Sequence, residues 1–278
     1  MNLFEKQHHI QNLKDARDSF YKNRLIYEDV QNALEEIIAK LEKNIENELS
    51  FIKTRSEKFT EKLESQNLDS RKNFVNLNRF NEFDLQCLSG LLLNEITNNI
   101  PVLELFPGTG QFLPYAVSAE PLYIADKFIE ICNEASAALN NNFYSERRLR
   151  KYQIDNNDTS KLPQNSFGIV YCFNEFFMAN ENYILKIAKQ VHNLLYSGGK
   201  FIFNFLPYDQ LWSQQMVYNS DFTAVNYKDL INELTIMGYT ILNYEIRQLK
   251  SSYIIAQKNG ELQPRYKIGG GVAEIIDT

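Results

Sequence analysis

Glycine and proline are absent from the first 89 residues: all 11 glycines and all 7 prolines of this 278-residue chain lie at or after Gly90. These are the strongest local breakers of regular backbone, so their absence excludes a turn-rich domain there and predicts helix. Cysteine is scarce as well. Cys87, Cys132 and Cys172 stand far apart on apolar segments, which excludes a disulfide framework or a zinc cluster and leaves reduced, buried thiols. His8, His9 and His192 likewise lack metal-ligand spacing, so no metal is expected. No apolar run approaches the ~20 residues that a bilayer span needs. The start, M-N-L-F-E-K-Q-H-H, lacks the charged-then-apolar layout of a secretory signal, so a cytoplasmic location is expected. Basic charge is in deficit, with 29 Lys and Arg against 35 Asp and Glu, a net charge of −6 and a pI near 5.3. That balance repels a polyphosphate backbone and argues against a nucleic-acid partner.

What is present is enough apolar material, 44% hydrophobic and 13% aromatic, for one full α/β domain with an appendage. In the breaker-free segment, apolar side chains recur at Val30, Leu34, Ile37 or Ile38, Leu41, Ile45, Leu49 and Ile52, then more sparsely at Phe59 and Leu63. Steps of three and four mark one face of a long helix. Their mean spacing is nearer the 11-residue than the 7-residue repeat, which predicts a straight or weakly right-handed, coiled-coil-like bundle. Such a stripe needs a partner. Leu3, Phe4, Ile10, Leu13 and Phe20 could fold back as a hairpin, or a second copy of the chain could face it; the second arrangement, a homo-oligomer, is the one favoured here. The polar run Gln66–Ser70 ends the helix. The expected organisation is a helical extension over 1–70, an α/β domain over 71–260 and a tail over 261–278.

Past residue 80 the pattern changes. Asn81 caps a helix through Phe83, Leu85, Leu88 and Leu91–Leu93, which Asn98, Asn99 and Pro101 terminate. The stretch Val102–Gly110, V-L-E-L-F-P-G-T-G, is a short apolar strand with an acid near its end and two close glycines, the form in which a parallel strand hands a nucleotide-like ligand to the next helix. Strands are expected at Leu122–Ala125, Tyr152–Ile154, Phe167–Phe173 and Lys200–Phe205, alternating with helices at Gln111–Val117, Phe128–Leu139 and Tyr183–Tyr196. Alternation of this kind means a parallel sheet covered on both faces. A helix at Tyr227–Met237 is followed by strands Thr240–Gln248 and Ser251–Gln257, close enough for a tight antiparallel hairpin.

Roughly Phe83–Lys258 resembles a class I S-adenosylmethionine-dependent methyltransferase, a Rossmann-like fold of seven mostly parallel strands closed by an antiparallel hairpin. E-L-F-P-G-T-G, Glu104–Gly110, is similar to that family's first motif, and L-Y-I-A ends in Asp126, 22 residues beyond Glu104, where the family holds the ribose hydroxyls. D-T-S-K-L-P, Asp158–Pro163, resembles the segment whose acid reaches the adenine amino group, a role open between Asp155 and Asp158. L-L-Y-S-G-G-K-F-I-F-N, Leu194–Asn204, resembles the late helix, double glycine and strand. The resemblance implies S-adenosylmethionine as cofactor, with Gly108 and Gly110 beneath its methionine moiety. Glu104, Phe106, Pro107, Asp126, Asp155 or Asp158, and Asn174 would complete the site.

The chain also departs from the family pattern. Phe106 stands where the first glycine usually sits, as in some RNA-directed members. The N-P-P-Y type tetrapeptide of base-directed amino-methyltransferases is replaced by F-N-E-F-F, Phe173–Phe177, and no cysteine-proline pair serves pyrimidine C5. Glu175 is a candidate general base or a solvent-facing acid. Tyr208, Asp209 and Trp212 either wall a substrate pocket or pack a loop. The leading reading is methyl transfer to a small molecule, saccharide or protein group. The alternatives are a non-catalytic assembly module working through the helical extension, and an RNA methyltransferase.

Overall fold

The computed structural model describes residues 3–23, 28–97, 99–139, 148–155, 158–173, 175–220 and 222–260. Asn98, Asn174 and the tail over 261–278 lie outside the described residues. Four helices come first: α1 (Leu3–Asn23), α2 (Glu28–Glu64), α3 (Leu68–Leu77) and α4 (Glu82–Glu95). The chain then runs β1 (Val102–Leu105), β2 (Leu122–Asp126), α5 (Ile129–Ser136), β3 (Leu149–Gln153), β4 (Phe167–Cys172), α6 (Glu181–Leu194) and β5 (Leu195–Asn204). It finishes with α7 (Leu211–Asn219), α8 (Tyr227–Ile236), β6 (Tyr239–Glu245) and β7 (Tyr253–Lys258).

The strands form one sheet of order β3-β2-β1-β4-β5-β7-β6, parallel from β3 to β5 and antiparallel at β7 and β6. Central strands β1, β2 and β4 are buried along their whole length, as expected where helices cover both faces of a parallel sheet. One apolar layer joins Leu103, Leu105, Val170, Phe201 and Phe203 to Ile184, Ile187 and Val191 of α6. The other joins Val102, Ile124, Ile169 and Ile202 to Leu88 and Leu92 of α4 and to Cys132 and Ala135 of α5. Local signals set the helix starts: the side chains of Asn81, Asn180 and Asn226 accept from backbone N–H groups of the first turns of α4, α6 and α8.

The long helix finds its facing stripe within the chain. Lys6 pairs with Glu48 at 2.8 Å and Lys14 with Glu42 at 2.6 Å, a register that runs α1 antiparallel to α2, and Ile10 is buried with Ile38 and Ile45 between them. This is the hairpin arrangement, and it leaves Val30, Ile37 and Leu49 of the stripe exposed. The far end of α2 does something else. Phe59 and Leu63 are buried in the same cluster as Leu103 and Leu105, and Thr60 Oγ1 accepts from the backbone N–H of Asn180 at 2.8 Å. Packing is therefore continuous across the expected division at residue 70.

Three further differences have local causes. Between Gln111 and Val117 only Leu113–Ala116 winds, as a 3-10 turn, because Pro114 has no N–H for an α-helical bond. The helix α7 is absent from the expected elements; no side chain caps it, so its start carries no sequence signal. The β6–β7 connection is also much wider than a tight turn, running from Ile246 to Ser252. It is tied internally, since Ser252 Oγ accepts from Arg247 N–H and donates to Arg247 O, and anchored to α4 where Lys250 N–H donates to Asp84 Oδ1 at 3.1 Å.

Leu63 tests whether α2 belongs to the core, since its side chain is only 3% exposed. Leu63→Ala should lower stability by roughly 2–5 kcal/mol in urea unfolding of the full chain. A loss below about 1 kcal/mol would mean that this end of α2 merely rests on the surface.

Candidate functional site

Glu104 lies near the carboxyl end of β1, and Asp126 closes the neighbouring parallel strand β2. After β1 the backbone turns through three left-handed residues, Phe106 (φ 57°), Gly108 (φ 58°) and Gly110 (φ 75°). The two glycines serve different purposes. A Cβ on Gly110 would lie 2.3 Å from the carbonyl oxygen of Ala135, so this glycine admits the close approach of α5. A Cβ on Gly108 would meet only Val75 Cγ1, at 3.6 Å, so only a side chain of α3 covers it. Of the pair expected beneath a methionine moiety, Gly110 thus faces protein backbone.

The third left-handed residue carries a side chain. Left-handed backbone costs a non-glycine residue about 1–2 kcal/mol, which is why glycine is usual at such a turn. The Phe106 ring is 3% exposed and lies 5.6 Å from the Arg71 guanidinium carbon, with the Phe74 ring at the same distance.

Arg71 is the residue that sequence reasoning missed. It reaches from α3 into the site, 4% exposed, and its Nη2 donates to Asp126 Oδ2 at 2.9 Å while Nη1 donates to Glu175 Oε2 at 2.6 Å. Phe128 N–H donates to the other Asp126 oxygen at 3.1 Å, and Tyr183 Oη donates to Glu175 Oε1 at 3.4 Å. Arg71 Nε alone has no hydrogen-bond partner. Burial works to lower the Arg71 pKa, but attraction from Asp126 and Glu175 and hydrogen bonds to both prevail and raise it. For Glu175, burial raises the pKa; Arg71 opposes this and Asp126 adds to it. A signal for Arg71 did exist. It sits three and four residues before Phe74 and Val75, which places a cation on the apolar face of a short helix.

The remaining expected residues divide sharply. Pro107, Gly108 and Glu104 line a small cavity with Val75, Phe112 and Phe173, and its volume is about 10 Å³, room for one water. Asp155 and Asp158 bond to each other through the backbone, at 2.7 Å from Asp158 N–H to Asp155 O. Their exposed carboxylates serve the local turn, Asp155 paired with Lys161 at 2.5 Å and Asp158 accepting from Ser160. Neither touches Arg71 or lines the cavity. Glu175, the candidate base, is buried and has both oxygens engaged. Tyr208 and Trp212 both pack against the core, and Tyr208 also lines a separate cleft of about 460 Å³ with Ile52, Asn180, Glu181 and Asn226. No cluster of His, Cys, Asp or Glu among the described residues could hold a metal ion, and no helix among them is long and apolar enough to cross a membrane.

Burial pushes the Glu104 carboxyl up to about 8, only partly offset by the hydrogen bond from Tyr171 Oη at 2.9 Å. Its folded pKa lies above its unfolded value, so the stability linked to this proton is full below about pH 4.5 and is lost as pH rises towards 8. Glu104→Gln should therefore flatten the pH dependence and exceed the native chain at pH 8 by roughly 1–3 kcal/mol. Thermal unfolding of both proteins at pH 5.5 and pH 8 checks this; parallel curves would refute it.

No family model and no curated protein matches this sequence. Solved structures do match. The magnesium protoporphyrin IX methyltransferase of Synechocystis PCC 6803 with bound SAH superposes with a TM-score of 0.54 at 12% identity, over 70% of this chain and 89% of that one. The cyclase SpnF gives 0.51 at 12% identity, over 63% and 80%. A SAM-dependent methyltransferase from Methanosarcina mazei gives 0.50 at 16% identity, over 62% and 98%. Together with the strand order and the closing hairpin, these likenesses show that the chain has the class I methyltransferase fold.

Proposed function

We propose that this chain binds S-adenosylmethionine and transfers its methyl group to an acceptor molecule. One observation carries the reading. Two acids, Glu104 and Asp126, end adjacent parallel strands on either side of a left-handed turn whose Gly108 lacks the Cβ that would exclude a ligand. Ligands of open α/β sheets bind at that edge. The donor chemistry fits: carboxylate oxygens accept from ribose hydroxyls, and the backbone at Gly108 admits close approach.

When bound, the cofactor supplies a methyl group already activated on sulfur, so the protein's share is alignment and exclusion of water. Asp126 would hold the ribose and the Pro107–Gly108 backbone would lie against the methionine end. Asp155 and Asp158, engaged in their own turn, are given no contact with adenine. Glu175, held by Arg71 and Tyr183, is given no role as a base in this arrangement. Methyl transfer needs a base only where the acceptor must lose a proton.

The acceptor reading favours a small molecule or a saccharide. The cleft beside Tyr208 is built from segments that follow β4 and β5, together with α2, and its size of about 460 Å³ suits such a ligand. Asn180, Glu181, Asn182, Asn226 and Asp229 give it a lining rich in hydrogen-bonding groups.

Isothermal calorimetry tests the cofactor assignment. The native chain should bind S-adenosylmethionine one to one, and Asp126→Asn should weaken binding about 10- to 100-fold by removing charge-assisted acceptors. An absence of heat from the native chain at millimolar cofactor would end the methyl-donor reading in favour of an assembly module.

A further inference from the structure

The place in which a nucleoside would sit is filled by the chain itself. We propose that α3 is a displaceable plug: its docking, through Arg71 and Val75, and the binding of an adenosyl ligand at Asp126 and Gly108 exclude one another. The ligand's identity rests on the methyl-donor reading above; the exclusion rests on the geometry of α3.

Three observations support it. Space is the first. Val75 covers Gly108, and the cavity left between Glu104 and Gly108 measures about 10 Å³, whereas a cleft of about 530 Å³ lies on the other side of α3, bounded by Phe74, Met178 and Phe222. The helix is thus a partition, with Val75 on the inner cavity and Phe74 on the outer cleft.

Charge is the second. Both Asp126 oxygens are taken, one by Arg71 Nη2 and one by Phe128 N–H. Each oxygen keeps a second lone pair, but Asp126 is fully buried beneath the Arg71 side chain, so a ribose reaches this carboxylate only once Arg71 withdraws. The docked state is itself imperfect, because it leaves the buried Arg71 Nε without a partner.

The third is mechanical. Of the ten residues of α3, only Arg71, Phe74 and Val75 are buried, so apart from the half-exposed Lys72–Glu134 ion pair to α5 the helix is seated by three side chains. Its ends are tethered independently of them. Lys127 Nζ donates to the carbonyls of Glu64 and Gln66 before α3, and Lys250 Nζ donates to the carbonyl of Asn78 after it. The helix can leave its seat while both flanks stay in place, and the small cavity would then join the large cleft.

The test uses the full chain and S-adenosylhomocysteine, which binds without reacting. Hydrogen exchange of residues 68–77 in the native chain should speed up on saturation with this ligand. Arg71→Met, which keeps bulk but removes the charge pairs, should bind it about tenfold more tightly by calorimetry, because a larger fraction of the protein is then open. Binding with unchanged or increased protection of α3 overturns the plug and leaves the methyl-donor reading intact, and so does equal or weaker binding by Arg71→Met. No binding by either protein overturns both. The exchange measurement needs no variant, so it decides the matter even if Arg71→Met fails to fold.

Discussion

Three charges held out of water, Arg71, Asp126 and Glu175, tie the amino-terminal helices to the edge of the sheet. Two buried carboxylates, one ending β2 and one following β4, would repel each other and lack solvation, so a cation must stand between them, and α3 delivers it. Removing one partner from such a cluster costs about 3–5 kcal/mol, because the charges left behind stay buried. The seat of α3 follows from that requirement. So do the burial of Phe74 and Val75 behind it and the closure of the space above Gly108.

Phe106 is best understood through the same cluster. In sequence it is an anomaly, a bulky residue where the resemblance leads one to expect glycine. The backbone there is left-handed, so the turn is the one that glycine would make, and the strain of a side chain is accepted. The ring lies against the Arg71 guanidinium, at the same distance as that of Phe74. Aromatic faces offset part of the cost of burying a guanidinium that lacks full hydrogen bonding. Phe106 and Arg71 therefore belong to one arrangement, and the departure from the glycine pattern marks a residue that supports the plug.

Much of the scaffold was legible in the chain. The apolar run of β1, the spacing from Glu104 to Asp126, the cap at Asn81 and the closing pair of strands all arise from local rules of burial and capping. Where local signals were weak, the reading fell short. α7 starts without a cap, β5 begins as early as Leu195 because the Y-S-G-G run stays within the strand, and the last connection is widened by anchoring of Lys250 to α4. Asp155 and Asp158 were legible as acids near a strand end, but the engagement of their carboxylates in a turn by Lys161 and Ser160 was not.

Periodicity also stated that the long helix had to be covered, without stating by what. A stripe such as Ile38 and Ile45 is satisfied equally by α1 or by another chain, and it is the Lys6–Glu48 and Lys14–Glu42 pairs that lay α1 against it. The sequence by itself determined the doubly covered sheet, the strand-end acids and the glycine turn, since each depends on residues close together in the chain. Tertiary structure alone decided that Arg71 meets Asp126, 55 positions away, and Glu175, 104 positions away. Long-range pairing of charges leaves no periodic trace, because it depends on where two separate elements are brought together rather than on the order of residues within either one.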